Sequence, residues 1–155
     1  MSGDRDGFPP CTPQAVIEIL DYYGIEIQGK RTVVIGRSMV VGRPLAMMLL
    51  KRNATVTICH TRTKDLAGET KRAEILIAAA GKARMVTKDM VGEGAVVIDV
   101  GINFDENGKL CGDVDFDSVS QIAGQITPVP GGVGSVTSTV LAKHVIEAFK
   151  LQEGL

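Results

Sequence analysis

Apolar positions along this chain fall into two alternating patterns. RTVVIG (31–36), ATVTIC (54–59), EILIAAAG (74–81) and GAVVIDVG (94–101) are short, nearly continuous aliphatic runs. Runs of this kind predict strands covered on both faces, as in a parallel sheet. The stretches between them carry helical spacing instead. QAVIEILDYYG is predicted as a helix with Thr12 as its cap, Pro13 at its first position and Gly24 ending it. GRPLAMMLLKRN gives a second helix, with Pro44 confined to the first turn, and TKDLAGETKRA a short third. VTSTVLAKHVIEAFK closes the chain as a helix with Val136, Val140 and Ala148 in its apolar stripe. FDENGKLCGDVDF places Asn107-Gly108 between short extended pieces and reads as a hairpin. Strands separated by helices imply an α/β fold: a single-domain, Rossmann-like, doubly wound parallel sheet over residues 1–155.

Composition narrows the class. With 45% hydrophobic residues, a net charge of -1 and a mean hydropathy of +0.16, the chain suits a compact core and not a polyanion-binding surface, so nucleic acid is not an expected partner. No apolar run approaches the ~20 residues of a membrane span, and the start MSGDRDG lacks a signal peptide's apolar segment. The cytoplasm is the expected location. Cys11, Cys59 and Cys111 are odd in number and unpaired as motifs, which predicts reduced thiols and neither a disulfide framework nor a zinc site.

In a doubly wound sheet, ligands bind at the carboxyl ends of the strands. Gly36, Arg37 and Ser38 follow the first strand, where a glycine turn before a helix suits an anion, although glycines there also serve plain turn geometry. CHTRT (59–63) ends the second strand about 20 residues on, where dinucleotide enzymes read the adenosine ribose. An acid there selects the free 2′-hydroxyl, whereas this chain has none before Asp65. Thr61 and Arg62, with Arg37, favour a 2′-phosphate and so NADP over NAD, solvated surface arginines being the alternative. The missing acid also argues against S-adenosylmethionine. The small residues of AAAGKARM (78–85) leave room for a ribose and nicotinamide, or for close helix packing. ITPVPGGVGSVT (126–137) has two prolines and three glycines within seven residues, a backbone path no plain connector needs.

PCTP (10–13), VVIGRS with VVGRP (33–44), VTICH (56–60), VIDVGIN (97–103), GDVDF (112–116) and ITPVPGGVG (126–134) together resemble the methylenetetrahydrofolate dehydrogenase/methenyltetrahydrofolate cyclohydrolase family, in its carboxyl-terminal cofactor-binding domain. The resemblance implies hydride transfer from the folate one-carbon bridge to NADP, then hydrolysis of the methenyl cation to 10-formyltetrahydrofolate. It implies Gly36, Arg37 and Ser38 as the phosphate-loop triplet and Thr61 beside the adenosine phosphate, where the family often has serine. It further places Ile102 at the nicotinamide pocket, Pro128 and Gly132 against the folate, and Thr137 near the nicotinamide at the start of the last helix. Arg62 is added from charge and position. Where the family commonly reads GGVGPMT, this chain has Ser135-Val136-Thr137, and the lost proline loosens the placement of Thr137. A homodimer is implied as well.

The family's acid/base help comes from a Tyr-x-x-x-Lys pair in an amino-terminal domain. Here Tyr22 and Tyr23 are followed four residues on by Glu26 and Ile27, and Lys51, Lys71 and Lys143 suit a solvated helix surface. No catalytic residue is therefore assigned, and no cyclohydrolase turnover is expected of this chain alone. Family enzymes are about twice as long, and MSGDRDGF resembles the tail of the segment preceding PCTP, which suggests a domain, an internal start or a truncated product. Two other readings stand beside this one: a stand-alone dinucleotide-binding or dimerisation module, and an unrelated Rossmann reductase.

Overall fold

The computed structural model describes residues 7–154; the expectation for MSGDRD lies outside them. In chain order the elements are α1 (Cys11–Tyr22), β1 (Arg31–Ile35), α2 (Gly42–Lys51), β2 (Thr55–Cys59), α3 (Leu66–Lys71), β3 (Ile75–Ala78) and β4 (Val96–Asp99). A short hairpin of β5 (Asn103–Phe104) and β6 (Leu110–Cys111) follows, then α4 (Phe116–Val119), β7 (Gln125–Ile126) and α5 (Val133–Glu153).

The main sheet runs β2-β1-β3-β4-β7, every pair parallel. β3 is buried along its whole length and β1 and β4 nearly so, as continuous aliphatic runs require. Alternation splits the core in two. Val34, Ile75, Ile77 and Ile98 pack with α1, α2 and α5, whereas Val33, Ile35, Leu76 and Val97 face α3, α4 and the 84–95 segment. Helices therefore cover both faces, as the fold class predicts.

Two local expectations are corrected, one strand is new, and the expected hairpin forms. Pro10, not Thr12, caps α1; its carbonyl accepts from the Gln14 amide at 3.1 Å, and Pro13 sits third, still within the first turn where no amide partner is lost. α5 begins at Val133, three residues earlier than expected, because the Gly132-Val133-Gly134 stretch supplies its cap and first turn. β7 was not predicted: two residues ahead of Thr127-Pro128 are too few to show a period. In the hairpin the turn is centred on Glu106-Asn107, closed by the Gly108 amide to the Asp105 carbonyl at 2.9 Å, and only Gly108 takes positive φ (+73°).

Candidate functional site

The strand order reverses between β1 and β3, so the crevice outside their carboxyl ends is the topological switch point. Gly36 leaves β1 there with φ +123°, and a Cβ on it would lie 2.1 Å from the Ala79 carbonyl oxygen on the neighbouring loop. A Cβ on Gly42 would lie 2.2 Å from the Gly36 carbonyl oxygen. Only glycine at both positions lets the loop, the post-β3 segment and the start of α2 touch. Ser38 closes that start: its Oγ accepts from the Val41 amide at 3.0 Å and the Gly42 amide at 3.4 Å. Arg37 is exposed beside it.

The end of β2 is tied to the same loop by the Gly36 amide donating to the Cys59 carbonyl at 2.8 Å. A tight turn follows, in which the Thr63 amide donates to the His60 carbonyl and the His60 amide to Thr63 Oγ1, both at 2.9 Å. Thr61 and Arg62 are exposed at its tip. Among the described residues neither Arg37 nor Arg62 forms an ion pair. The nearest acid in sequence is otherwise engaged, since the Asp65 carboxylate accepts from the Gly68 amide at 3.0 Å and caps α3. Burial pushes the Cys59 thiol up, which suits an inert core position.

Ile102, Pro128 and Gly132 line one cleft of about 170 Å³ between the post-β4 loop and the proline–glycine loop, whose Val129–Pro130 bond is cis. Ile102 is 68% exposed. The Asp99 amide donates to Thr127 Oγ1 at 2.9 Å, pinning this loop to the end of β4. Pro128 and Gly132 also wall a separate apolar cavity of about 400 Å³ lined by Ile19, Tyr23 and Val136. Thr137 lies in the second turn of α5, with Oγ1 donating to the Val133 carbonyl at 2.9 Å. The structure thus gathers Gly36, Arg37, Ser38, Thr61 and Arg62 at the ends of β1 and β2, and Ile102, Pro128 and Gly132 beyond β4.

Two buried carboxylates went unnoticed in the sequence. Asp99, at the end of β4, accepts from the amides of Gly101 (2.9 Å), Asp113 (3.0 Å) and Val114 (2.9 Å). Burial holds its carboxyl above the ordinary range against the pull of those three amides, and the neighbouring Asp113 pushes the same way. Asp113 is fully buried and takes amides from the loop after β3: Ala80 (2.6 Å) and Gly81 (2.9 Å) on Oδ2, Lys82 (2.8 Å) on Oδ1. Asn103 Nδ2 adds a fourth donor at 2.9 Å. A charged residue at the tip of the aliphatic run VVID was the available signal. Among the described residues, no group of three His, Cys, Asp or Glu side chains is placed to hold a metal ion, and no helix is long and apolar enough to cross a membrane.

A parallel sheet with a glycine loop at its switch point and exposed arginines at the adjacent strand end defines the class: a dinucleotide-binding domain. Residues 10–153 match the profile described as tetrahydrofolate dehydrogenase/cyclohydrolase, NAD(P)-binding domain, and the chain belongs to that family. It is 61% identical over 155 residues to the Bifunctional protein FolD of Alkaliphilus oremlandii (strain OhILAs), covering all of this chain and 54% of that protein. Among solved structures it is similar to the bifunctional enzyme FolD, methylenetetrahydrofolate dehydrogenase/cyclohydrolase, of Campylobacter jejuni, with a TM-score of 0.93, 49% identity, and coverage of 96% of this chain and 52% of that one. It also resembles the Trypanosoma brucei methylenetetrahydrofolate dehydrogenase-cyclohydrolase complexed with NADP cofactor and inhibitor, with a TM-score of 0.89, 41% identity, and coverage of 96% of this chain and 53% of that one. The chain spans about half the length of the curated relatives it matches.

Proposed function

We propose that this chain is the NADP-binding half of a bifunctional 5,10-methylenetetrahydrofolate dehydrogenase and 5,10-methenyltetrahydrofolate cyclohydrolase. The observation that carries the cofactor preference is the pair of exposed arginines, Arg37 and Arg62, at adjacent strand ends with no ion-pair partner among the described residues while Asp65 caps a helix. A 2′-phosphate matches two guanidinium forks, and a free ribose diol matches a carboxylate that this strand end does not offer.

Gly36 and Ser38 would hold the phosphates near the start of α2, and Thr61 would offer a hydroxyl to the adenosine end. Ile102 would lie against the nicotinamide, and Pro128 and Gly132 would touch the folate from the cleft they share. When bound, NADP supplies the hydride acceptor for the folate one-carbon bridge. The chain's own contribution is to fix the two ligands against each other, which a loop tethered at Thr127 and walled by prolines does well. Pairing of two copies through this domain in the cytoplasm belongs to the same reading and is checked by sedimentation equilibrium.

Calorimetry with NADP and NAD tests the assignment. NADP is expected to bind more tightly, with Arg37→Ala and Arg62→Ala each removing on the order of tenfold of NADP affinity and little of NAD affinity. Equal affinities for the two cofactors, or no loss in either variant, would refute it. The absence of Tyr-x-x-x-Lys from these 155 residues fits a half that is inactive alone and also favours a second reading, a stand-alone dinucleotide-binding or dimerisation module without catalysis. Supplying a relative's amino-terminal domain in trans separates the two, because restored activity removes the second.

A further inference from the structure

Three consecutive amides, those of Ala80, Gly81 and Lys82, converge on one point just beyond β3, with Gly81 at φ +68° turning the chain. Such a concavity ordinarily attracts an external anion. Here the anion is the chain's own: the Asp113 carboxylate fills it, fully buried, and also takes Asn103 Nδ2 from the start of β5. Asp113 is itself seated by Asp99, whose Oδ1 accepts the Asp113 amide and whose Oδ2 accepts the Val114 amide. A relay of hydrogen bonds thus runs from the end of β4 through Asp99 and Asp113 to the loop after β3. The fit is close enough that a Cβ on Gly101 would lie 2.4 Å from the Asp113 carboxyl carbon, and one on Gly112 would overlap the Asp99 carboxylate.

The strand order says what this relay serves. With the 2′-phosphate end of a dinucleotide at β2 and β1, the molecule crosses β1 and its other end reaches β3 and β4. The walls there are the 80–82 loop and the 99–103 loop, the two segments that the Asp113 carboxylate joins. Because its amides are already satisfied, the 80–82 loop offers no phosphate site, so the phosphates belong to the β1 loop alone. We infer that Asp113 is a positioning residue for the nicotinamide half of the cofactor: its buried carboxylate fixes the two loops between which that half is seated. This rests on the NADP-binding reading above.

The test compares NADP with adenosine 2′,5′-bisphosphate, which carries only the adenosine end, by calorimetry on the 155-residue chain. Asp113→Asn keeps the shape but replaces one of two acceptor oxygens with a donor aimed at donors, leaving at least one amide unpaired. NADP affinity is expected to fall roughly tenfold or more while that of adenosine 2′,5′-bisphosphate stays within about twofold. A general loss of structure would weaken both alike. Should Asp113→Asn not fold, Asn103→Ala removes one donor from the same carboxylate without burying an unpaired group, and a smaller, still NADP-selective loss is expected. Equal losses for both ligands, or no loss for either, would overturn the inference. Failure of the wild-type chain to bind adenosine 2′,5′-bisphosphate at all would instead overturn the NADP-binding reading.

Discussion

Replacing Gly36 by alanine should destabilise the chain by about 2–4 kcal/mol, and two separate causes make up that figure. The first is backbone conformation: at φ +123° an L-residue is strained by about 1–3 kcal/mol. The second is space. The new Cβ would sit 2.1 Å from the Ala79 carbonyl oxygen, roughly 1 Å inside ordinary contact, so one loop must move. Both are tethered, Gly36 through its amide to Cys59 and Ala79 through its amide to the Ile35 carbonyl, each at 2.8 Å. Releasing either costs on the order of 1 kcal/mol. Gly94→Ala is the internal control, since Gly94 has φ +74° and a Cβ added there would meet nothing within 4 Å, so that variant carries strain without the clash. Urea denaturation of both variants should give the larger loss for Gly36→Ala, with NADP binding lost beside it. If the two variants lose the same stability, the close approach of the loops contributes nothing and the account of the switch point fails.

Two more outcomes follow from buried polar groups. Thr32 is fully buried in β1 on the α1–α5 face, and its Oγ1 has no hydrogen-bond partner, so Thr32→Val should raise stability by about 1 kcal/mol; a loss in urea denaturation would show that the hydroxyl is satisfied. Asp99 has a carboxyl raised above its unfolded value of about 3.9, so its contribution is present below that pH and is lost as pH rises through the folded pKa. The stability of the wild-type chain minus that of Asp99→Asn, measured by urea denaturation, should therefore fall as pH rises above about 4, and a flat or rising difference contradicts the burial argument.

The central strands and the helices between them were legible because burial on both faces leaves a continuous aliphatic run, a signal that needs no partner in view. The cluster at the ends of β1 and β2 was legible for a similar reason: strand-end logic places Arg37 and Thr61-Arg62 side by side once the two strands are known to be adjacent. β7 escaped because its two residues pair only through the sheet, Val96 with Gln125 and Val97 with Ile126. Asp99 and Asp113 escaped for the same kind of reason. Asp113 finds its amides 31 to 33 residues away, and nothing local in GDVDF indicates that its first acid turns inward while Asp115 does not. The start of α5 was harder to read, because Gly132-Val133-Gly134 carries no helical period of its own, and Thr137 therefore falls in the second turn.

The distribution of committed and uncommitted charge gives the crevice a direction. Three acids near the strand ends are engaged internally: Asp65 by the start of α3, Asp99 by three amides, Asp113 by three amides and Asn103. Arg37 and Arg62 have no such partner among the described residues and stand exposed at the opposite end of the sheet's switch point. A ligand with its charge concentrated at one end is therefore oriented before any shape is read, with the anionic end toward β2 and the less charged end over β3 and β4. The two ends differ in rigidity as well. Arginines on an exposed turn adapt to phosphate oxygens, whereas a loop held by a buried carboxylate cannot shift without exposing unpaired amides. Under the proposed NADP-binding reading, adaptable recognition at one end and fixed placement at the other is the division of labour hydride transfer needs, because only the nicotinamide end must be held at near-contact distance from a second reactant.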